Sequence, residues 1–384
     1  MTLSAHTAGS IFAPVPAFAF TAAQFDDCKE FLATRASNTE IVPVVDEAQL
    51  NMTADGRLRE NGYRFNAIGF AALANSLSSG LNVMFTELSG ENMRGTQLAE
   101  RATDVAAAVN IYNVTLRIRF EALRERSLLV NHREQAIEGF LGLDHRLLEN
   151  STFLNIVMNE LLDKQPQAEF TRAELVGRAL RLFFINPATR RTDIYSDPRH
   201  TFAAGWCFSN REDVGNAIHA STCIYTRFGI AVEPPHVSTR LAHMGADLSG
   251  RTAILISRTA EKEIDMNLVA KQIHRLAQLP LGFSDDKTTN DAAQAAWISN
   301  LLKFKIAKDE AKRVVRNAST AGADLVPRDP LNAYSKETLA ARNGYDLFCS
   351  ILRCSKNQYH GVRDVLQTTA MKLLIPTKKV EKRK

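Results

Sequence analysis

Apolar residues recur at helical spacing in some parts of the chain and alternate with polar residues in others, and each pattern predicts an element. In the first half, the patterns predict a short strand at 40–50 and helices at about 67–79, 98–110 and 145–163. Gly80 follows the first of these helices and is a residue type that commonly ends one. This half of the chain therefore mixes helices with short strands.

The strongest alternation lies in the segment 114–120. Four apolar side chains alternate there with Thr115, Arg117 and Arg119. A period of two puts the apolar set into a core and both arginines on the opposite face of a strand. The apolar run at 127–131 is a candidate partner for this strand.

Short apolar runs dominate the middle third of the chain, and helical spacing returns in the last third. The predicted strands lie at 178–186, 191–197, 206–210, 222–232 and 252–258. The predicted helices lie at about 260–279, 291–318 and 336–374. Strands that cluster centrally, with helices after them, are typical of an α+β fold rather than of a regular βαβ alternation. We expect a central antiparallel or mixed sheet flanked by helices, with a helical, basic C-terminal section.

These patterns divide the chain into four segments. Residues 1–39 are expected to form an N-terminal arm that packs on its own domain or on a neighbouring subunit, and residues 40–320 the α+β core domain. A loop around 322–330 is rich in turn-forming residues and opens a C-terminal helical section at 321–377. The last residues, 378–384, are expected to be a basic, disordered tail.

Positive charge is concentrated at one end of the chain. The net charge is +5, but from residue 301 onward 18 Lys and Arg residues accompany 8 Asp and Glu residues. That section therefore has a net charge of +10, which leaves −5 for the first 300 residues. Such asymmetry favours a basic face or tail that meets a polyanion. A solvated helical face balanced by acidic neighbours is the alternative.

Several function classes receive no support from the sequence. The five cysteines are odd in number and scattered, which is typical of a reduced, cytoplasmic protein rather than of a disulfide framework. No apolar run approaches the length that crosses a membrane, and the apolar stretch at 11–24 lacks the preceding basic residue of a secretory signal. We expect no metal and no cofactor, and an enzymatic activity is not favoured.

One glycine-rich segment has the spacing of a phosphate-binding loop. Gly245 and Gly250 are placed as that motif requires, but Arg251 replaces its lysine. The motif also needs a helix directly after it, whose N-terminus faces the phosphates, and a strand is predicted there instead. Nucleotide binding at this segment is therefore not expected.

The segment 205–245 carries the most informative polar residues. Asn210 and Glu212 predict a joint at which a strand ends and a helix begins, with Glu212 near the positive end of the helix dipole. A capped joint without a ligand is one interpretation. The other is an anion-binding notch, whose further residues are Arg211, Arg240 and His243.

The same segment resembles a known family. The joint Ser-Asn-x-Glu-x-x-Gly at 209–215, followed about thirty residues later by Arg-x-x-His-x-Gly at 240–245, is similar to the phage/plasmid-like proteins labelled domain of unknown function 932. The segments YRFNAIGFAALANSLSSGL and GLDHRLLENSTFLNIVMNEL are compatible with that family, so the resemblance spans roughly residues 60–375. Many members have Cys-Asn-Gly where this chain has Thr226-Arg-Phe-Gly229, so a role of that Cys or Asn does not carry over. The resemblance implies a mobile-element setting without a settled activity, and it suggests a remote, fold-level kinship to single-strand annealing recombinases.

Basic residues in several predicted elements suggest a nucleic-acid-binding protein. Binding without sequence reading requires cations along a groove and aromatic faces on which bases stack. The candidate binding residues are Arg117, Arg119, Arg178, Arg181, Arg190, Arg191, Arg211, Arg240, His243, Lys308, Lys312 and Arg316. If folding gathers them into one channel, the chain fits a homo-oligomeric protein that binds single-stranded DNA, or another nucleic acid, in recombination or replication. The alternative is a non-enzymatic structural or interaction protein of a mobile element, such as a virion or replication-complex component.

Three of these cations share one face of a predicted helix. Lys308, Lys312 and Arg316 are four residues apart, so a helix aligns them. Like charges at this spacing destabilise a helix slightly, which makes a polyanionic partner an attractive explanation. A solvated helix, in which Asp309 and Glu310 pair with these cations, is the alternative.

Overall fold

The computed structural model confirms the α+β class. It describes residues 12–78, 80–81, 84–85, 97–142, 144–192, 201–213, 218–226, 229–233, 240–279, 295, 298–299, 301–302, 306–320, 343–355 and 360–375. The helices among them are α1 (Phe25–Ser37), α2 (Ala67–Leu77), α3 (Gln97–Arg119), α4 (Asn150–Lys164), α5 (Leu248–Ala260), α6 (Met266–Gln278), α7 (Lys308–Thr320), α8 (Gly344–Ser355) and α9 (His360–Leu374). The strands are β1 (Ala17–Thr21), β2 (Thr39–Pro43), β3 (Arg64–Phe65), β4 (Ser127–Asn131), β5 (Ala136–Leu141), β6 (Glu169–Val176), β7 (Ala179–Ile185), β8 (Arg191–Thr192), β9 (Thr201–Arg211), β10 (Ile218–Thr226), β11 (Gly229–Val232) and β12 (Arg240–Leu241).

The strands form two sheets. The larger sheet is antiparallel in the order β1-β6-β7-β9-β10-β11, with β8 beside β9 and β12 beside β10. The smaller sheet has the order β2-β4-β5-β3, in which β3 is parallel to β5 and the other pairs are antiparallel. Every residue of β7 is buried, so both faces of the larger sheet are covered at that strand.

Helices cover the two sheets in separate apolar clusters. One cluster joins α1, α4 and α5 to the larger sheet and contains Phe153 and Phe184. A second cluster joins the helices α6, α7, α8 and α9 to the same sheet through Phe202. The third, around Phe70 and Tyr112, holds α2 and α3 against the smaller sheet. Each sheet therefore has an apolar core of its own.

The segment 114–120 is helical, so the predicted strand is wrong. It lies in the last turns of α3 and the short turn that follows. Leu116 packs inward beside Tyr112, whereas Val114 and Ile118 are 54% and 77% exposed. Residues two apart lie on nearly opposite sides of a helix, so a short alternation fits a helix as well as a strand.

Two further predicted elements are corrected by the structure. The segment 252–258 lies in helix α5, where Thr252, Ile256 and Ala260 recur every four residues and are buried. The strand β4, which was predicted to pair with 114–120, pairs with β2 and β5 instead. An apolar run of this length does not by itself separate strand from buried helix, and spacing over more than one turn decides it.

A helix therefore does follow the glycine-spaced segment. Asp247 precedes α5, and its carboxylate accepts a hydrogen bond from the backbone N–H of Gly250. An acidic side chain thus occupies the helix N-terminus at which a phosphate would bind. The Asp247 carboxylate therefore disfavours nucleotide binding at this segment. The earlier reason, that a strand follows the segment, does not hold.

The ends of the chain are only partly described. In the N-terminal segment, β1 pairs with β6, and α1 packs beside α4 and β6. The loop at 322–330, the tail at 378–384 and most of the predicted strand at 191–197 lie outside the described residues.

Candidate nucleic-acid interface

The predicted binding residues do not gather into one channel. Some are buried beside carboxylates, some are exposed on separate elements, and three lie together on α7. The buried ones are Arg178, Arg181 and His243. Each group has a different physical role.

Arg178 lies at the turn between β6 and β7 and connects the two sheets. Its guanidinium group donates hydrogen bonds to Glu138 of β5, to Glu212 after β9 (2.9 Å) and to Thr39 of β2 (2.7 Å). Arg35 of α1 donates to the other oxygen of Glu138. Arg178 is 2% exposed, so its assignment to nucleic-acid binding is wrong. The carboxylates compensate a charge that would otherwise be very costly to bury.

Glu212 interacts with a helix N-terminus, but the helix is not the predicted one. The strand β10 follows β9 within a few residues, where a helix was expected. Instead, Glu212 accepts a hydrogen bond from the backbone N–H of Asn150, the first residue of α4. The side chain of Asn210 donates to the carbonyl of Leu148 (2.8 Å) and to Oδ1 of Asn150 (2.9 Å). The predicted joint is therefore a tertiary contact, and burial raises the pKa of Glu212 despite the neighbouring guanidinium.

The predicted anion notch contains its own carboxylate. Nε of Arg211 lies 3.3 Å from the carboxylate of Asp213, which is 1% exposed. The backbone at this point also approaches β5 closely, since a Cβ atom on Gly139 would lie 3.1 Å from the carbonyl oxygen of Asp213. Arg211 is therefore paired with a carboxylate at the place where the anion notch was predicted.

His243 is buried against a second histidine. The rings of His243 and His145 are stacked, with centroids 5.1 Å apart and 8° between their planes. Nδ1 of His243 lies 3.0 Å from the carbonyl oxygen of Arg146. Burial lowers the pKa of both rings, to about 4 for His145, where the adjacent ring adds to the effect. Because a neutral, buried imidazole offers no charge to a phosphate, the assignment of His243 is also wrong.

Arg181 belongs to a second buried ionic cluster, at the start of α9. Its Nη1 lies 3.1 Å from Asp364, and the side chain is buried. On the neighbouring strand β6, Glu174 pairs with Arg363 of α9 and with Arg172 (2.7 Å). Arg181 therefore connects α9 to the larger sheet from a buried position.

The surface arginines of the other elements lie on helix α3 and on the larger sheet. Arg117 is 3.9 Å from Glu47, and Arg119 donates a hydrogen bond to the carbonyl of Leu77. They lie on helix α3 rather than on one strand face, which corrects their predicted arrangement. The exposed cations of the larger sheet are Arg190, Arg191 and Arg240.

Helix α7 presents the predicted row of cations to solvent. Its inward side packs Ala311, Val314 and Val315 into the cluster formed with α8 and α9. The outward side, which we call the α7 basic face, consists of Lys308, Lys312, Arg313 and Arg316, all exposed. The predicted alignment at four-residue spacing is confirmed.

The acidic residues of α7 do not neutralise this face. Glu310 is directed at α9, where it accepts hydrogen bonds from Lys372 Nζ (2.7 Å) and Thr369 Oγ1 (3.3 Å). Across the described ranges, Lys308 and Lys312 have no carboxylate within ion-pair distance. Asp309 is the remaining acidic residue on the helix, and neither Lys308 nor Lys312 pairs with it.

Sequence reasoning did not identify the carboxylates that hold the buried arginines. Glu138 is the one charged residue of the strand AIEGFL, whereas Glu174 is one of three in EFTRAELV. A lone acidic residue in an apolar strand, as Glu138 is, is a signal for a buried counterion, since such residues are rarely buried without a partner. The partner itself was not predictable, because Arg178 is 40 residues from Glu138 in the chain.

Among the residues described above, no helix is long and apolar enough to cross a membrane. The same residues contain no group of three or more His, Cys, Asp or Glu side chains that could hold a metal ion. No family model, curated protein or solved structure matches the chain.

Proposed function

We propose that the chain binds single-stranded nucleic acid through the α7 basic face. The observation that carries the proposal is the separation of charges on α7: its cations point to solvent, while Glu310 is engaged with Lys372 on α9. The resemblance to phage/plasmid-like proteins favours single-stranded DNA, in recombination or replication of a mobile element, as the ligand.

Electrostatics gives this face a reason to bind a polyanion. Lys308, Lys312 and Arg316 stack like charges at four-residue spacing, which destabilises an isolated helix. Phosphates between them relieve that repulsion, and their release of counterions drives association. Contacts of this kind reach the sugar-phosphate chain and carry no direct sequence information. Binding is therefore expected to depend strongly on salt and weakly on base sequence.

Arg191 of the short strand β8 lies on the same side of the larger sheet as the cluster that contains α7. Arg191 is paired with Phe202 in the register of β8 and β9, and paired residues of an antiparallel sheet share a face. Phe202 packs in the cluster that also contains Val314 and Val315 of α7. Arg191 thus supports a basic surface that is wider than α7 alone.

Fluorescence anisotropy with a labelled single-stranded oligonucleotide tests the proposal. We expect binding at about 50 mM salt that weakens by about 200 mM, with a slope of log affinity against log salt of about −2 to −3, since each single-strand phosphate contact contributes about −0.7. A duplex of the same length is the comparison. Tighter binding to the duplex would identify double-stranded rather than single-stranded nucleic acid as the ligand. No binding to either nucleic acid at about 50 mM salt would contradict the proposal.

The exposed apolar side of α3 favours a second candidate function, a non-enzymatic interaction protein. Ile111, Val114 and Ile118 are each more than half exposed on that helix. Exposed apolar rows of this kind often mark protein contacts. The same titration separates the candidates, because a pure interaction protein would leave the oligonucleotide free at every salt concentration.

A further inference from the structure

Helix α3 has apolar residues on two opposite sides. Its inward side is buried in the core of the smaller sheet through Val109, Tyr112 and Leu116. Its outward side, which we call the α3 stripe, consists of Ala107, Ile111, Val114 and Ile118. Ile111, Val114 and Ile118 are 52%, 54% and 77% exposed. Intervals of four, three and four residues are those of a coiled-coil seam.

We propose that the α3 stripe is the docking surface for a second copy of this chain, with the two α3 helices antiparallel about a two-fold axis. A two-fold contact uses the same patch on both partners, so the patch must be complementary to itself. This inference does not depend on nucleic-acid binding, because α3 belongs to the core of the smaller sheet and α7 to that of the larger sheet.

The side-chain sizes along the stripe fit an antiparallel pair. When the stripes are centred on each other, Ile111 lies opposite the partner's Val114, and Ile118 lies opposite the partner's Ala107. The most exposed side chain thus meets the smallest one, and every layer has a similar total volume, as close packing requires. A parallel pair would set Ala107 against the partner's Ala107, which leaves that layer underpacked.

Charge along α3 favours the same orientation. Asp104 lies in the N-terminal half of the helix, whereas Arg117 and Arg119 lie in the C-terminal half. An antiparallel pair brings unlike halves together and opposes the helix dipoles favourably, whereas a parallel pair brings like halves together. The exposed amide of Asn110 then falls beside the partner's Arg117, on the same flank of the seam.

The size of the stripe predicts a weak dimer. The exposed apolar side chains present on the order of 300 Å² per partner, against about 800 Å² for a standard interface. Association is therefore expected with a dissociation constant on the order of 10–100 µM. The dimer should form and dissociate reversibly as the protein concentration changes.

Sedimentation velocity on the full chain tests the proposal. Between about 2 µM and about 200 µM, we expect the wild-type protein to shift from monomer to dimer. The variant I111E/I118E, which places four carboxylates in the dimer seam, should remain monomeric throughout. I254E is the matched control, because Ile254 is 53% exposed on α5 and lies outside the stripe; it should dimerise like the wild type.

A cysteine pair tests the orientation. In the antiparallel register, A107C/I118C should form interchain disulfides readily under mild oxidation. I118C alone should not, because position 118 lies opposite itself only in a parallel pair, and I254C should not cross-link in either orientation. A wild-type protein that stays monomeric at the highest concentration would overturn the proposal, and so would a dimer that I111E/I118E leaves intact. If I111E/I118E lowered Tm without changing the mass of a monomeric wild type, another segment of the same chain would cover the stripe, and the proposal would also fail.

Discussion

The β6–β7 hairpin and helix α7 are both rich in cations, but their cations contact opposite kinds of surroundings. In the hairpin, Arg178 and Arg181 are buried, and each contacts carboxylates from distant parts of the chain. On α7, Lys308 and Lys312 are exposed and lie beyond ion-pair distance of any carboxylate in the described structure. The neighbours of each cation explain the difference.

Apolar residues cover both faces of β7, so a cation on that strand enters the interior and needs a buried counterion. On α7, buried residues recur at helical spacing, so the cations between them fall on the solvent side. The number of basic residues in a segment therefore does not decide whether they can bind a ligand. What decides it is whether the basic residues fall on the buried side or on the solvent side of their element.

The largest effect is expected at the hairpin. The substitution Arg178→Met leaves Glu138 and Glu212 buried without their shared partner. We expect the free energy of unfolding to fall by about 3–5 kcal/mol, measured by chemical denaturation.

Two controls separate pairing from charge. Arg178→Lys keeps the charge but loses the planar fork that contacts both carboxylates, so its loss should be intermediate. Arg133→Ala removes an exposed cation of the smaller sheet and should change the free energy by less than about 0.5 kcal/mol. If Arg178→Met behaved like Arg133→Ala, the hairpin arginine would not be a structural residue.

A second, smaller effect is expected from pH. Burial lowers the pKa of His145 from 6.5 to about 4 and also lowers that of His243. The unfolded chain therefore binds protons first, so this stability is present above about pH 6.5 and is lost as the pH falls. From about pH 7 to about pH 5, we expect a loss of about 1–2 kcal/mol after allowance for the partial exposure of His145.

Chemical denaturation of His145→Phe at both pH values isolates this contribution. The variant keeps a ring for the stack with His243 but removes one titrating group, so its stability should change less with pH than that of the wild type. An identical pH dependence in the two proteins would rule out His145 as the source.

The sequence predicted the elements whose pattern extends over several turns or over a full strand. The α+β class, helices α2, α4, α6 and α7, and strands β4, β7, β9 and β10 all follow from periodicity. The segments 114–120 and 252–258 were wrongly predicted as strands. Seven residues hold too few repeats to separate a period of 2 from a period of 3.6. The strands β5 and β6 were not predicted, since Glu138 interrupts the apolar run of β5 and three charged residues are spread along β6.

The candidate site was predictable only where it depends on one element. The row of cations on α7 is a property of helical spacing, so the sequence contains it. The burial of Arg178, Arg181 and His243 depends on residues from several strands and helices, and a single sequence does not show which distant carboxylate will meet which arginine. The spacing within one helix could therefore be predicted from the sequence, whereas the pairing of distant residues could not.

The smallest effect is expected at the contact between α7 and α9. Glu310→Gln removes a partly exposed ion pair with Lys372, so the free energy of unfolding should fall by only about 0.5 kcal/mol. Affinity for single-stranded DNA should change by less than about twofold, because Glu310 does not face the cations. Anisotropy at low salt measures the second quantity, and a large gain in affinity would show that Glu310 had been neutralising the α7 basic face.

In the proposed function, the cations of α7, and not basic charge in general, contact the polyanion. The direct test compares two triple variants that remove equal charge, K308A/K312A/R316A on α7 and R117A/R124A/R133A on the exposed surface of the smaller-sheet region. In anisotropy titrations with single-stranded DNA over a range of salt, the α7 variant should bind at least about tenfold more weakly, and its salt slope should be flatter by about 2. The other variant should stay within about twofold of the wild type. Equal losses in the two variants, or no loss in the α7 variant, would contradict the account.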